Sequence, residues 1–467
     1  MLIGRLREIE ELSRIAASPR PEFVAIYGRR RVGKTFLVRQ YFGDGFAFHL
    51  TGLANSTTVQ QLANFRATLV RTSRNEDLPP APNWFTAFQQ LIAYLETLPE
   101  GPKIIFLDEL PWMDTPKSDF LMGLESFWNA WASGRTDIKL ITCGSAASWM
   151  TNKLINNRGG LYNRVTHRIR VFPFTLYESE ALLRINGVHL SRYDIAQIFM
   201  VTGGIPAYLL QVLPGRSVAQ NIQRLCFERG AFLRTEFKNL FTALFRTPDR
   251  HETVVRALAS KNAGLTRTEL TKATGLPSGG TMTRLLEELE ESGFVSRYYP
   301  FGRRTLRYRL SDFYSRFYLK FIEAEPTFPD AEWQLDFDRL RQRAWAGYAF
   351  EQICLEHLPQ IKRALGIAGV STQTSVWQYR AESGGAQIDL VIDRRDRVIH
   401  LCEVKFSERP YTVTGTYAER LEQRRAIFLR ETGTNKSVFT TLITTFGAKG
   451  TVPDAEQQVT LDDLFQP

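Results

Sequence analysis

Short apolar runs alternating with longer amphipathic stretches set the pattern of the first third of the chain. Phe23-Val-Ala-Ile-Tyr27 is continuous in hydrophobicity and short, which predicts a buried strand, and a Gly-rich turn leads from it into a helical stretch over Thr35 to Tyr41. Lys103-Ile-Ile-Phe-Leu-Asp108 and Ile138-Lys-Leu-Ile-Thr-Cys143 repeat the pattern, separated by helical stretches rich in Trp and Phe, and a further strand is expected near Arg168 to Phe174. Strands that alternate with helices predict a parallel sheet covered by those helices.

From Leu176 to Leu244 the period is helical, broken at Gly203-Gly-Ile-Pro206 and Pro214-Gly215, and the expectation is a helical lid. Three short helices follow at Thr253 to Ala263, Arg267 to Thr274 and Thr281 to Ser292. Strands at Phe294 to Tyr299 and Thr305 to Leu310 form a hairpin around Phe301-Gly302, and the whole has the layout of a winged helix. Glu325-Pro-Thr-Phe-Pro-Asp-Ala-Glu332 is the best linker candidate. Beyond it come a helix from about Phe337 to Leu358, strands at Ser375 to Tyr379, Ile388 to Asp393 and Val398 to Phe406, a helix near Tyr417 to Arg430, and a strand at Ser437 to Thr445. The domain reading is therefore 1–175, 176–245, 246–325 and 335–467.

Length agrees with that division, because a chain of 467 residues exceeds what one core serves. A composition 43% hydrophobic and 23% charged is that of an ordinary globular protein. The net charge of +10 favours an anionic partner such as nucleic acid, although an excess of this size also occurs on proteins that bind none. Cys143, Cys226, Cys354 and Cys402 lie far apart in apolar stretches and read as reduced core residues. Met1 to Glu8 lacks a signal-peptide apolar run and no stretch is long enough to span a bilayer, so the expectation is a cytoplasmic protein without membrane contact.

The chemistry begins at Gly28-Arg29-Arg30-Arg31-Val32-Gly33-Lys34-Thr35. This spacing lets successive backbone N–H groups curl around a phosphate, with Lys34 neutralising the outer phosphates and Thr35 ligating magnesium. The site calls for ATP or another nucleoside triphosphate. The apolar strand ending in Asp108-Glu109 supplies a second acidic ligand for magnesium, Asp108, and a group to polarise the attacking water, Glu109. The three loop arginines face solvent or a neighbouring subunit.

Ser145, at the end of the third strand, stands where AAA+ ATPases keep the residue that senses the γ-phosphate. Together the phosphate loop, the Asp-Glu strand, Ser145, an arginine before the last strand and a lid with Gly-Gly-Ile-Pro resemble the prokaryotic archaeal-type ATPase family, related to AAA+ and STAND proteins, over residues 1 to 245. The resemblance implies that Arg164 is an arginine finger, with Arg158 as its rival, and that a finger acting on a neighbour needs a homo-oligomer. Gly204-Ile-Pro206 is either the lid element that approaches the nucleotide or a plain helix N-terminus.

In the winged helix, Thr281, Thr283 and Arg284 open the third helix, where a DNA reader enters the major groove, but Glu287, Glu288, Glu290 and Glu291 crowd the same helix. Arg297, Arg303, Arg304, Arg307 and Arg309 concentrate charge on the hairpin, which either lies along DNA or packs between domains. In the last domain Glu403-Val-Lys405 puts an acid and a lysine on one strand face with Val404 turned away into the core, and Asp389 lies fourteen positions upstream on a neighbouring strand. Asp followed by Glu-x-Lys across a hairpin resembles the metal site of PD-(D/E)XK nucleases. That resemblance implies magnesium on Asp389 and Glu403, Lys405 acting on the attacking water, Glu351 as the acid of the first helix, and Gln387 in support. Asp393 shares a face with Asp389 near the strand end and is expected to be solvent-exposed. Gln387-Ile388 stands where the superfamily carries Pro before its Asp.

The fold expected is thus α/β: a P-loop NTPase with parallel sheet and helical lid, a winged helix, and a restriction-endonuclease-like α/β domain. The function expected is ATP hydrolysis coupled to DNA binding and metal-dependent DNA cleavage. The alternative is a STAND-like switch or scaffold with an inactive nuclease-like domain.

Overall fold

The computed structural model describes residues 2–157, 159–323, 340–381, 384–450 and 455–467. Arg158, the linker 325–332 and the expected domain start at 335 lie outside the described residues. The chain divides into two compact units, Met1–Pro173 and Phe174–Pro467.

In the first unit the described strands are β1 (Glu22–Tyr27), β2 (Phe46–Thr51), β3 (Lys103–Asp108), β4 (Ile138–Gly144) and β5 (His167–Arg170). They form one parallel sheet in the order β2-β3-β4-β1-β5. Strands β3 and β4 are buried along their whole length, as a sheet with helices on both faces requires. Phe23, Leu140 and Ile105 meet the helices Thr58–Ser73, Trp84–Thr97 and Phe120–Ala130 in one core around Trp84, Phe88 and Phe127. The edge strand β2 is missing from the sequence reading, since its run Phe-Ala-Phe-His-Leu-Thr is only half buried. Leu110-Pro-Trp starts the short helix Leu110–Met113, whose proline falls in the first turn where no N–H is needed.

The second unit joins the helices expected to form a lid, the helix-turn-helix module and the C-terminal α/β layers. Helices Pro248–Ala259, Arg267–Thr274 and Gly280–Glu291 are followed by a small sheet of β6 (Leu265–Thr266), β7 (Val295–Tyr298) and β8 (Arg307–Leu310) in the order β6-β8-β7. The C-terminal part holds β9 (Thr372–Ala381), β10 (Gly384–Arg394), β11 (Val398–Lys405), β12 (Tyr411–Thr412), β13 (Ser437–Thr444), β14 (Ala448–Lys449) and β15 (Ala455–Thr460). Its main sheet runs β15-β13-β11-β10-β9, antiparallel from β9 to β11 and parallel beyond. Helix Leu340–Glu356 packs on β11, and helix Gly415–Thr432, the crossover between β11 and β13, packs on β10 and β13.

Two features of this unit bear on function. The hairpin between β7 and β8 does not stand free. Its tip amide, Phe301, donates to the Val376 carbonyl of edge strand β9 at 2.9 Å, and the Phe301 ring packs 5.2 Å from Phe428 in the C-terminal core. The lid is also tied to the C-terminal part. The Leu176 amide donates to His357 Nε2 at 3.0 Å, while His357 Nδ1 donates to the Ile353 carbonyl at 2.8 Å. On the neighbouring lid helix Arg192–Thr202, Tyr193 stacks on Phe406 at 5.0 Å, and Arg192 pairs with Asp462 at 3.0 Å.

Burial holds the His357 imidazole neutral, pushing it down to about 4 from 6.5. Its folded pKa lies below its unfolded one, so its contribution to stability is intact above pH 6.5 and is lost as pH falls through about 4. Denaturant titrations of the native chain are expected to lose about 3 kcal/mol across that window from this group alone. In His357→Gln the same titrations should show a flatter dependence on pH.

Candidate functional site

The first candidate site lies at the C-terminal ends of β1, β3 and β4. Because β4 pairs with both β1 and β3, it brings their ends together although they are eighty residues apart. The loop after β1 turns on two left-handed glycines, Gly28 (φ 144) and Gly33 (φ 91), with Arg31 also left-handed (φ 70). A Cβ on Gly28 would lie 2.2 Å from the Val171 carbonyl oxygen, so only glycine fits. Val32 is buried, and its carbonyl accepts from Arg5, whose other guanidinium nitrogen reaches the Phe172 carbonyl at 2.7 Å. Arg5 thus braces the loop, a role that no motif in the sequence signals. Arg29 is buried, and Arg30 and Arg31 are half-buried, so the loop arginines are not a solvent-facing group.

Lys34 Nζ donates to the carbonyls of Gly28 at 3.0 Å and Arg29 at 2.8 Å, across the mouth of the loop. Burial lowers its pKa, and the charges of Glu109 and Asp108 oppose that shift. Thr35 Oγ1 lies 3.1 and 3.0 Å from the two oxygens of Asp108. Burial raises the Asp108 carboxyl, and the adjacent Glu109 raises it further. Glu109 sits in the left-handed region (φ 48), a conformation costly for a residue with a side chain. Its carboxylate is held at both oxygens by Ser145, from Oγ at 2.6 Å and from the backbone N–H at 3.1 Å.

Arg164 lies elsewhere. It is exposed on the turn before β5, and two residues later Thr166 N–H bonds the carbonyl of Phe23, at the start of β1. The phosphate loop leaves the other end of that strand, ~16 Å away at the usual rise per residue. This distance separates Arg164 from the phosphate loop of its own chain.

The second candidate site lies in the C-terminal part. The pairing of β10 with β9 shifts register between Ile388 and Val391, so Asp389 and Leu390 together oppose Val376. Strand β10 pairs with β11 only from Leu390 onward, opposite Cys402, and the Asp389 carboxylate accepts the Val404 N–H at 3.1 Å where the two strands part. The shift breaks the alternation that would put Asp393 on the face of Asp389, and Asp393 instead bonds Lys436. Val404, expected to face the core, borders the cleft described next.

Glu351, Asp389 and Lys405 line one open cleft of about 1320 Å³, together with Gln387 and with Arg303, Arg307 and Arg309 of the hairpin. Glu403 does not line it. Its carboxylate turns under helix Gly415–Thr432, where Oε1 accepts from Lys405 at 2.6 Å and Tyr417 at 2.9 Å, and Oε2 accepts from Arg424 at 2.8 Å. Those two cations hold the Glu403 carboxyl below its ordinary range despite its burial. Burial raises both Glu351 and Asp389, and the neighbouring carboxylates raise them further. Tyr417 and Arg424 were not anticipated, although they lie seven residues apart on one face of the predicted helix.

In the helix-turn-helix module the acids of helix Gly280–Glu291 are partly neutralised internally. Glu288 bonds His251 at 2.7 Å and Glu290 pairs with Arg297 at 3.0 Å. Arg307 is tied to Glu269 and to the Ala263 and Gly264 carbonyls, and Arg309 to Ser296, which leaves Arg303 and Arg304 exposed on the hairpin.

Two substitutions test the first site. If Glu109 orients the attacking water, Glu109→Gln should keep nucleotide affinity, measured by fluorescent-nucleotide titration, and lower steady-state phosphate release by about 10²-fold or more. Gly28→Ala should shift the thermal unfolding midpoint down, since the new methyl cannot be accommodated beside the Val171 carbonyl without moving backbone.

Comparison with known proteins matches the first part of the chain and the helix-turn-helix. Residues 2–212 match the family model described as an ATPase domain predominantly from Archaea, and residues 248–297 match the IclR helix-turn-helix domain. An uncharacterized protein of Methanocaldococcus jannaschii, MJECL04, is 25% identical over 428 residues, covering 87% of this chain and 88% of that one. The Walker-type ATPase PABY2304 of Pyrococcus abyssi superposes with a TM-score of 0.52 at 18% identity, over 68% of this chain and 96% of that structure. The Aeropyrum pernix ORC2 protein, solved in ADPNP-ADP complexes, aligns over 76% of this chain and 95% of that one at 16% identity, with a TM-score of only 0.41. The chain therefore carries an archaeal-type P-loop ATPase domain followed by an IclR-type helix-turn-helix.

Proposed function

We propose that the chain uses ATP hydrolysis to control nucleic-acid binding and metal-dependent cleavage of phosphodiester bonds in its C-terminal part. The observation that carries this reading is the convergence of Glu351, Asp389 and Lys405 on the wall of one open cleft.

At the ATPase site, loop N–H groups and Lys34 bind the phosphates, the Thr35 hydroxyl and Asp108 hold magnesium, and Glu109, fixed by Ser145, orients water. Arg164, exposed and remote from its own loop, suits a finger offered to a neighbouring copy. In the cleft the donors are all oxygens, namely two carboxylates with the Val404 carbonyl nearby, and such a set fits magnesium or manganese, which take one or two carboxylates and keep several waters. Among the described residues no three His, Cys, Asp or Glu side chains form a ready cation cluster, so solvent or substrate must complete the shell. Bound there, the ion would lower the pKa of a water and offset charge on the phosphoryl group. Lys405 positions that water, and the Val404 N–H fixes the Asp389 carboxylate.

A second reading, a nucleotide-gated switch that binds nucleic acid without cutting, is favoured by one specific observation. Both oxygens of Glu403 are already engaged, by Lys405 and Tyr417 on one side and Arg424 on the other.

The test incubates the full chain with linear, circular and single-stranded DNA in magnesium or manganese, with and without ATP. Asp389→Asn and Lys405→Ala should abolish cutting while ATP turnover persists, and Lys34→Ala should abolish the ATP dependence. Cutting that survives both Asp389→Asn and Lys405→Ala would reject the cleft as the reacting site. A native chain that binds but never cuts establishes the second reading.

A further inference from the structure

A helix-turn-helix hairpin normally reaches out along a duplex, but here its tip is fastened to β9 through the Phe301 amide and its ring is packed against Phe428. The basic side chains behind the tip therefore border the cleft that holds Glu351 and Asp389. Six basic and three acidic side chains line this cleft. Arg307, Arg309 and Lys405 are committed to partners within the protein, as described above. Lys261 and Arg303 on the helix-turn-helix side, and Arg343 on helix Leu340–Glu356, are exposed, and among the described residues their side chains have no hydrogen bond or ion pair. Three uncommitted cations from two walls thus share one cleft with two carboxylates that have no ion pair of their own among the described residues.

The volume and the lining both bear on the ligand. A volume of about 1320 Å³ exceeds that of an ordinary small-molecule pocket. The cleft has room for a few nucleotides of one strand. Tyr298, Tyr348 and Tyr411 contribute aromatic surface to the lining, as single-strand grooves do for unpaired bases.

We propose that the cleft between the pinned hairpin and the C-terminal part is a groove for single-stranded nucleic acid, gripped through its phosphates by Arg303 of the hairpin and Arg343 of helix Leu340–Glu356. The inference names the substrate class of the proposed function and rests on that reading for the purpose of the groove, but binding itself needs neither metal nor nucleotide.

Binding is therefore measured on the full chain in EDTA without ATP, by fluorescence anisotropy of a labelled single strand, as DNA and as RNA, and of the matching DNA duplex, across a salt series. In Arg303→Ala/Arg343→Ala the slope of log affinity against log salt for the preferred strand should become shallower by about 1.4, at about 0.7 for each phosphate no longer neutralised. Duplex binding through the helix-turn-helix should not change. Arg303→Lys/Arg343→Lys should restore the native slope, and an unchanged melting temperature excludes misfolding. An unaltered single-strand slope in the alanine pair, or an equal loss for strand and duplex, overturns the groove. If the groove passes this test but no cutting occurs in manganese, cleavage alone fails. If cutting persists while the slope is unaltered, the groove alone fails.

Discussion

A strand at the edge of a sheet carries carbonyls with no ladder partner, and β9 is such a strand. The Phe301 amide takes one of them, at Val376, the residue that faces the extra residue of β10 where Asp389 stands. A single hydrogen bond of this kind contributes only about 1 kcal/mol. Its effect is mainly geometric. It covers the edge, seats an aromatic ring in the C-terminal core, and converts a projecting arm into the wall of a cleft. The same register shift frees Asp389 from strict alternation, so its carboxylate can fill the gap where β10 leaves β11. Hairpin docking and acid placement thus meet at one irregular pairing.

Both candidate sites hold a glutamate at both oxygens, with opposite implications. Ser145 grips Glu109 with a hydroxyl and an amide, neutral donors that orient the carboxylate without cancelling its charge. Lys405 and Arg424 grip Glu403 with full charges, and the resulting network has little negative potential left for a cation. Glu351 and Asp389 have no ion pair among the described residues, and burial makes their charge expensive. Electrostatics thus separates Glu403, paired with cations beneath a helix, from Glu351 and Asp389, which line the cleft from a helix and a strand.

Local spacing made the phosphate loop and the Asp-Glu strand legible, because each motif lies within a few consecutive residues. The insertion of β4 between β1 and β3 is a non-local pairing, and nothing in the three apolar runs encodes their order. Phe46 to Thr51 was missed because an edge strand needs little hydrophobicity. The face of Asp393 was misjudged because strict alternation assumes an unbroken register, whereas the break depends on β9. The direction of Glu403 was in principle readable, since Tyr417 and Arg424 share a helical face in the crossover that follows its strand. The hairpin arginines were legible as a charge cluster, but their direction depends on where Phe301 docks.

The imidazole of His357 accepts from the first turn of one lid helix and donates within the helix that carries Glu351, and on the next lid helix Tyr193 lies flat against Phe406, the neighbour of Lys405. Direct side-chain contacts, rather than a flexible tether, join these helices to the elements that carry Glu351 and Lys405.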